Sequence, residues 1–450
     1  MASGSASLRS GFAVAILLPV VVIAFAVACS GDDSSSSTPS ASPTPTASTT
    51  PTASPVVTPT PGFSTSQDFD AAEADAMLKH LAVDIGIRAG GTDGEQQAAD
   101  YLRDLLASWG YEASEQPFPI DVYKASSTVL SETAPTAKDL APLALLNAKP
   151  GAVDGEIVVV PGLGEAGDFP PSTSGRIALV ERGTITFTEK IAAAEAAGAI
   201  GVIVYNNQPG NVQAPLRVPS NVPAVTISQE EGQALVTQAQ AGTVNVHLAI
   251  EATISEGQSH NVLAKAPGSD CRVLVGGHYD SVPAGPGAND NGSGTVVAME
   301  MARTLATRGE TAHVCFTLFG SEELGLVGSA YYVSQLTPDE RGAIVGMLNF
   351  DMLGMGTDWA FIGTDALTQL ALQVATENGI VSRIEAGVPI GVGSDHASFT
   401  QLEIPAILFN CFCDPNYHLA TDRFENVLPQ RLLEAGEIGL GMVEALRPAS

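Results

Sequence analysis

From about residue 260 onward, short runs of apolar residues alternate with longer stretches in which apolar residues recur at helical spacing. The short runs predict strands, and the longer stretches predict helices. Continuous apolar runs are typical of strands that are covered on both faces. The alternation therefore predicts an α/β fold, a mainly parallel sheet with helices on both faces. The strands are predicted at 261–264, 272–277, 314–319, 344–350, 360–362 and 405–409, and the helices at 295–307, 367–378 and near the C-terminus.

Two further helices are predicted before this region, at 70–83 and 94–109. The second helix has an apolar face at helical spacing, and Gly110 follows it as a stop signal. The loop between the two helices carries Arg88. We expect this arginine to form a structural ion pair and not to contact a substrate.

The pattern changes between residues 123 and 252, where short Val- and Ile-rich runs are separated by Pro and Gly. Runs of this kind predict short strands. One helix is predicted from Phe187 to Ala197, before the run 199–205. We expect a small β-rich domain at 123–252, inserted into a larger domain that comprises 68–122 and 253–450.

The N-terminal segment predicts export. Arg9 is followed by an uncharged run from Phe12 to Ala28, which ends in Ala-Val-Ala directly before Cys29. These features are typical of a secretory signal at 1–28, and a membrane span is the alternative. Small residues directly before a cysteine resemble a bacterial lipoprotein signal, so we expect lipidation at Cys29 and a cell-surface location. Without the lipid, the protein would be secreted.

Residues 29–67 are mostly Ser, Thr, Pro, Ala and Gly. Such a segment has too few apolar side chains to offset the entropy of ordering, so it predicts an extended tether. The whole chain has 20 Lys and Arg against 49 Asp and Glu, a formal net charge of -29. This charge argues against nucleic-acid binding. The only predicted contact with a membrane is through the N-terminal anchor.

Four cysteines remain after Cys29, and an exported protein is expected to pair them. Cys271 precedes His278 by seven residues, and Cys315 precedes Glu322 by seven. If the two strands are parallel neighbours, the equal offsets place both sulfurs at one level, which makes this pair a disulfide candidate. Cys411 and Cys413 are two residues apart, and their pairing is left open.

Residues of metal-ligand type follow three predicted strands. His278, the pair Glu322-Glu323 and Asp351 stand at the strand ends, and two loops add Asp290 and His418. A carboxylate at a strand end often caps the next helix, but that explanation does not account for the whole set. Open α/β sheets place their sites at the carboxyl ends of the strands. Five such groups at one edge are what a dinuclear zinc site requires.

The motifs at these positions resemble those of the dinuclear-zinc aminopeptidases of metallopeptidase family 28. The resemblance covers about 68–446 and depends on the motifs jointly, since each one alone is weak. The motifs are His278-Tyr279-Asp280-Ser281, Gly285 to Gly294, Ser321-Glu322-Glu323-Leu324-Gly325, Asn349-Phe350-Asp351-Met352, and Tyr417 to Asp422. The inserted domain resembles the protease-associated (PA) domain in Gly175 to Gly183 and Ala196 to Gly201.

The resemblance implies a zinc exopeptidase fold and a set of site residues. Two Zn²⁺ ions per chain would be bridged by Asp290. His278 and Asp351 would complete one zinc site, and Glu323 and His418 would complete the other. Three residues would have other roles, with Glu322 as general base, Asp280 as the partner that orients His278, and Tyr417 as a stabiliser of the tetrahedral intermediate.

The implied reaction is release of the N-terminal residue from peptides with a free N-terminus, by metal-activated water. Two alternatives remain. One is another exopeptidase or a cyclase of the same superfamily. The other is a non-catalytic receptor or binding module on the same two-domain core. In either case we expect the PA domain to serve as a lid or as an interaction surface for an unidentified partner. The intact ligands and Glu322 favour the enzyme.

Overall fold

The structure is a computed structural model that describes residues 69–385, 393–411 and 414–447. The predicted signal, the predicted lipidation site Cys29, the predicted tether and Cys413 lie outside the described residues. Among the described residues, no helix is both long and apolar enough to cross a bilayer.

The described residues form ten α-helices and fourteen strands. The helices are α1 Ala71–Lys79, α2 Asp93–Ser108, α3 Phe187–Ala196, α4 Gln229–Ala241, α5 Gly294–Arg308, α6 Val327–Gln335, α7 Pro338–Ala343, α8 Asp365–Glu377, α9 His396–Thr400 and α10 Pro429–Leu446. The strands are β1 Glu112–Ala134, β2 Lys138–Asp139, β3 Leu143–Ala144, β4 Gly151–Val159, β5 Ile177–Glu181, β6 Gly201–Tyr205, β7 Ala224–Ile227, β8 Asn245–Lys265, β9 Val273–His278, β10 Val314–Phe319, β11 Gly346–Phe350, β12 Trp359–Gly363, β13 Ser382–Ile384 and β14 Ala406–Asn410.

The larger half is built on seven of these strands in the order β13-β12-β14-β11-β9-β10-β8. Strands β10, β9, β11 and β14 run parallel to one another, whereas β8 is antiparallel to β10 and β12 is antiparallel to β14. Helices cover both faces. Val273 and Val275 of β9 face a core that includes residues of α1, α2, α5 and α10, and Leu274 faces a second core with residues of α6 and α9. The predicted α/β class with a mainly parallel sheet is confirmed.

The central strand β9 fits between its neighbours because it contains two glycines. A Cβ atom on Gly276 would lie 1.8 Å from the carbonyl oxygen of Thr317 on β10. One on Gly277 would lie 2.3 Å from the carbonyl oxygen of Phe350 on β11. Any side chain at either position would push the strands apart, so the local sequence fixes the close approach of the strands at the carboxyl end of β9.

The smaller half has a separate core that includes residues of β4 to β7 and of α3 and α4. Both of its helices begin with a capping box, Thr186 with Glu189 in α3 and Ser228 with Glu231 in α4. In each box the hydroxyl accepts the backbone N–H three residues on, and the glutamate accepts the first N–H. Strands β4, β5, β6 and β7 are parallel, and β3 closes the edge.

Two long strands connect the halves. Strands β1 and β8 pair antiparallel from Glu112 opposite Lys265 to Ala134 opposite Asn245. The domain limits proposed from the sequence, near 122/123 and 252/253, fall inside this ribbon, where Tyr123 pairs with Ile254. The two halves are therefore joined by continuous hydrogen-bonded strands and not by loops.

A disulfide joins Cys271 and Cys315, whose Cα atoms are 5.4 Å apart. The sequence argument named this pair, but its assumption about register was wrong. Cys315 lies opposite Leu274 in the β9–β10 ladder, three residues beyond Cys271. The bridge forms because the chain bends at Arg272, just before β9 begins. The structure buries Cys411, and its pairing with Cys413 lies outside the described residues.

Candidate active site

The candidate site residues meet at the carboxyl edge of the central strands. His278 is the last residue of β9, Asp351 directly follows β11, and Glu322 and Glu323 form a short helical turn after β10. Asp290 lies in the loop between β9 and α5, and His418 lies in the loop after β14. Parallel strands bring their carboxyl ends to one edge, so residues up to 140 positions apart in the chain become neighbours.

Asp290 lies between the two histidines and faces both. Its Oδ1 atom is 3.4 Å from Nε2 of His278, and its Oδ2 atom is 3.2 Å from Nε2 of His418. One carboxylate oxygen therefore points to each imidazole, as a carboxylate that bridges two cations would. Both rings and Asp290 are at most 6% exposed.

Each histidine also faces a second carboxylate. Nε2 of His278 lies 3.6 Å from Oδ1 of Asp351, and Nε2 of His418 lies 3.1 Å from Oε2 of Glu323. The structure thus brings together two groups of donors, His278 with Asp351 and His418 with Glu323, around a shared Asp290. Donor atoms of His278, Asp290 and Glu323 all lie within 4.8 Å of one another.

Two further observations show that these side chains suit a zinc site. Oε1 of Glu323 and Oδ1 of Asp351 are buried and have no hydrogen-bond partner among the described residues. Buried carboxylate oxygens without a donor are costly unless a cation compensates them. Imidazole nitrogen and carboxylate oxygen are ordinary zinc ligands, and nearby second carboxylates allow more than one ion.

Proton binding competes with such a cation. Burial by itself lowers the pKa of His418, but Glu323 and Asp290 raise that pKa well above its ordinary value. His278 shows the same balance, with Glu322 and Asp351 as the largest contributors that raise its pKa. The carboxylates therefore favour a positive charge on each ring nitrogen, either a proton or a metal, and metal binding must release the proton.

Glu322 and Glu323 occupy different environments although they are adjacent. Glu322 lines the cavity described below, and its Oε2 atom lies 3.9 Å from Nε2 of His278. Glu323 does not line the cavity and faces His418 instead. Burial raises the pKa of Glu322 well above its ordinary value, His278 opposes this, and the charge of Glu323 adds to it. Ser321, with φ 53°, begins the turn that separates the two side chains.

Asp280 holds that turn in place through hydrogen bonds to its backbone. It is fully buried, and its two oxygens accept the backbone N–H groups of Glu322 at 3.0 Å and Glu323 at 3.1 Å. Its Oδ1 atom also lies 3.4 Å from Nδ1 of His278, on the ring edge opposite Asp290. Orientation of His278 by Asp280 stays a prediction, and the contacts to both glutamate N–H groups were not predicted from the sequence.

Two positioning contacts were not predicted. The carboxylate of Asp422 accepts the backbone N–H groups of Asn289 at 2.8 Å and Asp290 at 2.9 Å, which holds the Asp290 loop. Nδ1 of His418 lies 2.8 Å from the carbonyl oxygen of Gln213, in the smaller half. Asp422 is the last residue of the Tyr417 to Asp422 motif, so the sequence did point to this residue. The contact of Gln213 uses a backbone carbonyl, which every residue has, so the sequence could not point to it.

The predicted ion pair of Arg88 was wrong. Its guanidinium is fully buried and donates only to backbone carbonyls among the described residues. The acceptors are the carbonyls of Tyr279, Leu81, Gly86, Pro286 and Gly287. Arg88 thereby joins the helical segment that follows α1, His80–Ile85, to the loop between His278 and Asp290. A guanidinium has five N–H donors, so it can bind several carbonyl oxygens at once.

A cavity of about 550 Å³ opens over the acidic cluster. Its floor includes His278, Asp290, Glu322, Asp351 and His418. The ring of Tyr417 lines it and stacks on the ring of His418, with centroids 3.8 Å apart. The smaller half supplies another wall, made of Arg182, Asn206, Gln208, Pro209, Asn211 and Val212. Both halves of the chain therefore enclose the site.

Comparison with known proteins links this geometry to a family. The model of peptidase family M28 matches residues 261–443, and the PA domain model matches residues 147–235. An aminopeptidase of Pseudomonas aeruginosa is 34% identical over 351 residues, which are 70% of this chain and 65% of that protein. The chain thus spans slightly less than two thirds of that relative. Aminopeptidase YwaD of Bacillus subtilis is 32% identical over 401 residues, 82% of this chain and 83% of that protein.

Solved structures agree. An aminopeptidase from Aneurinibacillus sp. strain AM-1 superposes with a TM-score of 0.70 at 30% identity, covering 86% of this chain and 96% of that one. The zinc aminopeptidase BSAP from Bacillus subtilis gives a TM-score of 0.68 at 30% identity, covering 84% of this chain and 96% of that one. The likeness extends over both halves of the chain.

Proposed function

The chain belongs to peptidase family M28, and from that premise we propose that it is a zinc-dependent aminopeptidase. Its substrates are peptides with a free N-terminus, from which it releases the first residue. The observation that supports this most strongly is Asp290, which faces His278 and His418 with one oxygen each. The cavity above these groups is of a size that suits a small ligand, since such sites measure about 300–1,000 Å³.

Two Zn²⁺ ions per chain are proposed, with Asp290 as the shared ligand. His278 and Asp351 complete one set, and Glu323 and His418 complete the other. The spacing of these side chains supports two sets, because each histidine has its own second carboxylate. Zinc bound there supplies Lewis acidity, which polarises the scissile carbonyl and lowers the pKa of water toward about 7.

Glu322 is the proposed general base. It lines the cavity, lies beside His278, and is not needed as a ligand because Glu323 fills that position. It accepts a proton from the attacking water and delivers it to the amine of the leaving peptide. Asp280 accepts the backbone N–H of Glu322 and so holds the main chain that carries this carboxylate.

Tyr417 is proposed to donate a hydrogen bond to the oxygen that becomes negative in the tetrahedral intermediate. Burial raises the pKa of its phenol above the ordinary value, so the group keeps its proton and remains a donor. The ring is held by stacking on His418 and lines the cavity in which the scissile carbonyl would lie. A donor that is already in position costs little reorganisation during the reaction.

We further propose that the protein is exported and anchored through a lipid on Cys29. The support is the uncharged run 12–28 and the small residues before the cysteine. Expression with Cys29→Ser tests this. The wild-type protein should incorporate a radiolabelled fatty acid and the variant should not, and a wild-type protein without label would contradict lipidation.

The aminopeptidase proposal is tested with leucine p-nitroanilide and its N-acetyl derivative, using protein whose zinc content is measured on the same sample. The proposal predicts turnover of the free amine, loss of turnover with a chelator, and no turnover of the acetylated compound. Hydrolysis of both compounds at similar rates would contradict an aminopeptidase. Zinc-loaded protein that hydrolyses neither compound would indicate a binding module.

A further inference from the structure

Charge is divided between two sides of the cavity. Four carboxylates line it, Asp290, Glu322, Asp351 and Asp414, and three of these belong to the site already described. Arg182 is the only lysine or arginine among the described residues that line the cavity, and it comes from the smaller half. A bound molecule would therefore meet carboxylates from the larger half and a guanidinium from the smaller half.

The guanidinium of Arg182 is held in place without a carboxylate partner. Its Nη1 atom donates to Oδ1 of Asn206 at 3.1 Å, and Asn206 is itself 5% exposed and donates to the carbonyl of Gly210 at 3.1 Å. The backbone N–H of Arg182 donates to the carbonyl of Tyr205 at 2.8 Å. No carboxylate of the described residues forms a salt bridge with Arg182, and its side chain lines the cavity.

Arg182 and His418 both lie next to the ring of Tyr417. Its Cζ atom lies 5.8 Å from the ring centroid of Tyr417, and that centroid lies 3.8 Å from the ring of His418. An extended residue spans about 3.3–3.6 Å, so these two steps together correspond to at most roughly two or three residues of peptide. A short peptide thus has the length to reach from the acidic floor to Arg182.

Resting on the proposed function, we infer that Arg182 binds the C-terminal carboxylate of di- and tripeptide substrates. A short peptide carries an ammonium at one end and a carboxylate at the other, which matches the two poles of the cavity. A guanidinium binds a carboxylate through paired, charge-assisted hydrogen bonds, which a lysine or an amide does not reproduce. Gly393, which also lines the cavity, contributes no side chain to such recognition.

The test compares kcat/KM for Leu-Gly-Gly with a free C-terminus and for the same peptide as its C-terminal amide. The wild-type protein is expected to have a kcat/KM for the acid that is about 10-fold or more above that for the amide. Loss of one charge-assisted hydrogen bond typically lowers binding by about this factor. Arg182→Gln should lower the acid-to-amide ratio to about one. The ratio is the measurement, because a general loss of activity affects both substrates alike. Arg182→Lys, which keeps the charge but not the paired donors, should give an intermediate ratio.

The matched control is Arg176→Gln, which removes an arginine of the same half that pairs with Glu156 away from the cavity lining. It should keep the wild-type ratio. A wild-type ratio near one, or an unchanged ratio in Arg182→Gln, would overturn the inference while leaving the aminopeptidase intact. Zinc-loaded wild-type protein that cleaves neither peptide would instead count against the proposed function itself.

Discussion

The carboxylate of Asp280 accepts the backbone N–H of Glu322 at 3.0 Å, across 42 residues of sequence. Its other oxygen accepts the N–H of Glu323, and its Oδ1 atom lies 3.4 Å from Nδ1 of His278. A single buried side chain therefore sets the position of the proposed base and of ligands from both proposed zinc sets.

Replacement of Asp280 by Asn should reduce both zinc affinity and activity. Asparagine has one oxygen, so it accepts only one of the two backbone N–H groups and turns its own N–H toward the other. Loss of such a supporting partner typically lowers metal affinity or activity by about 10- to 100-fold. Zinc affinity is measured by competition with a chromophoric chelator. Asp154→Asn, at an exposed ion pair with His247, should leave zinc affinity unchanged.

Replacement of Arg88 is expected to lower the free energy of unfolding strongly. Arg88→Met leaves several buried carbonyls without a donor, and each such loss costs about 1–3 kcal/mol. We expect the free energy of unfolding in urea to fall by about 3 kcal/mol or more. Arg103→Met, which removes partly exposed ion pairs with Asp100 and Asp104 on α2 and with Glu115 on β1, should change it by less than about 1 kcal/mol. Similar losses in both variants would contradict the role assigned to Arg88.

Removal of the disulfide is expected to lower the free energy of unfolding without changing kcat/KM. It closes a loop of 44 residues, for which the loss of unfolded-state entropy corresponds to roughly 4 kcal/mol. The double variant Cys271→Ser with Cys315→Ala should therefore unfold at lower urea concentration. Because the bridge lies at the end of β9 and β10 away from the site, kcat/KM measured below the transition should match the wild type. A stable variant with reduced kcat/KM would contradict this account.

Glu95 predicts a pH dependence of stability. It is buried, and it accepts hydrogen bonds from the N–H of Gly91 and the hydroxyls of Ser259 and Ser321. Burial, aided by the charge of Asp280, raises its pKa from 4.5 to about 7. Between these values the folded chain keeps a proton that the unfolded chain has lost. Its contribution to stability is therefore fully present below about pH 4.5 and is lost as pH rises through about 7, by roughly 1.4 kcal/mol per pH unit.

Glu95→Gln removes this contribution, since an amide does not titrate. The wild-type free energy of unfolding should decline from pH 5 to 7 relative to that of Glu95→Gln, both measured by urea titration. Glu230→Gln, at an exposed position in the first turn of α4, should follow the wild type. Parallel pH profiles for the wild type and Glu95→Gln would show that Glu95 titrates normally in the folded protein.

The fold and the main cluster could be predicted because their signals are local. Apolar runs marked β9, β10 and β11, and parallel strands must end at one edge, so His278 and Asp351 were expected to meet. The structure places them 3.6 Å apart, between His278 Nε2 and Asp351 Oδ1. The same logic named Cys271 and Cys315, although their register was wrong because the bend at Arg272 has no clear signal.

Contacts made across the two halves could not be predicted. The long pairing of β1 with β8 was missed because β1 contains Pro117 and Pro119 and many polar residues. Those prolines are tolerated because that part of β1 lies at the edge of the sheet. Once this ribbon is formed, it sets the smaller half over the site, so that Gln213 meets His418 and Arg182 meets Tyr417. Neither contact follows from local pattern, because each depends on the register of the whole ribbon.

The central claim is that Glu322 moves the proton while Glu323 holds metal. The decisive measurement is kcat on leucine p-nitroanilide together with zinc content for Glu322→Gln and Glu323→Gln. We predict that Glu322→Gln keeps about two zinc ions per chain, as a dinuclear site requires, and loses about 10²- to 10⁴-fold in kcat. Glu323→Gln should lose zinc as well as activity. Near-normal kcat in Glu322→Gln, or loss of zinc from that variant with full zinc in Glu323→Gln, would contradict the account.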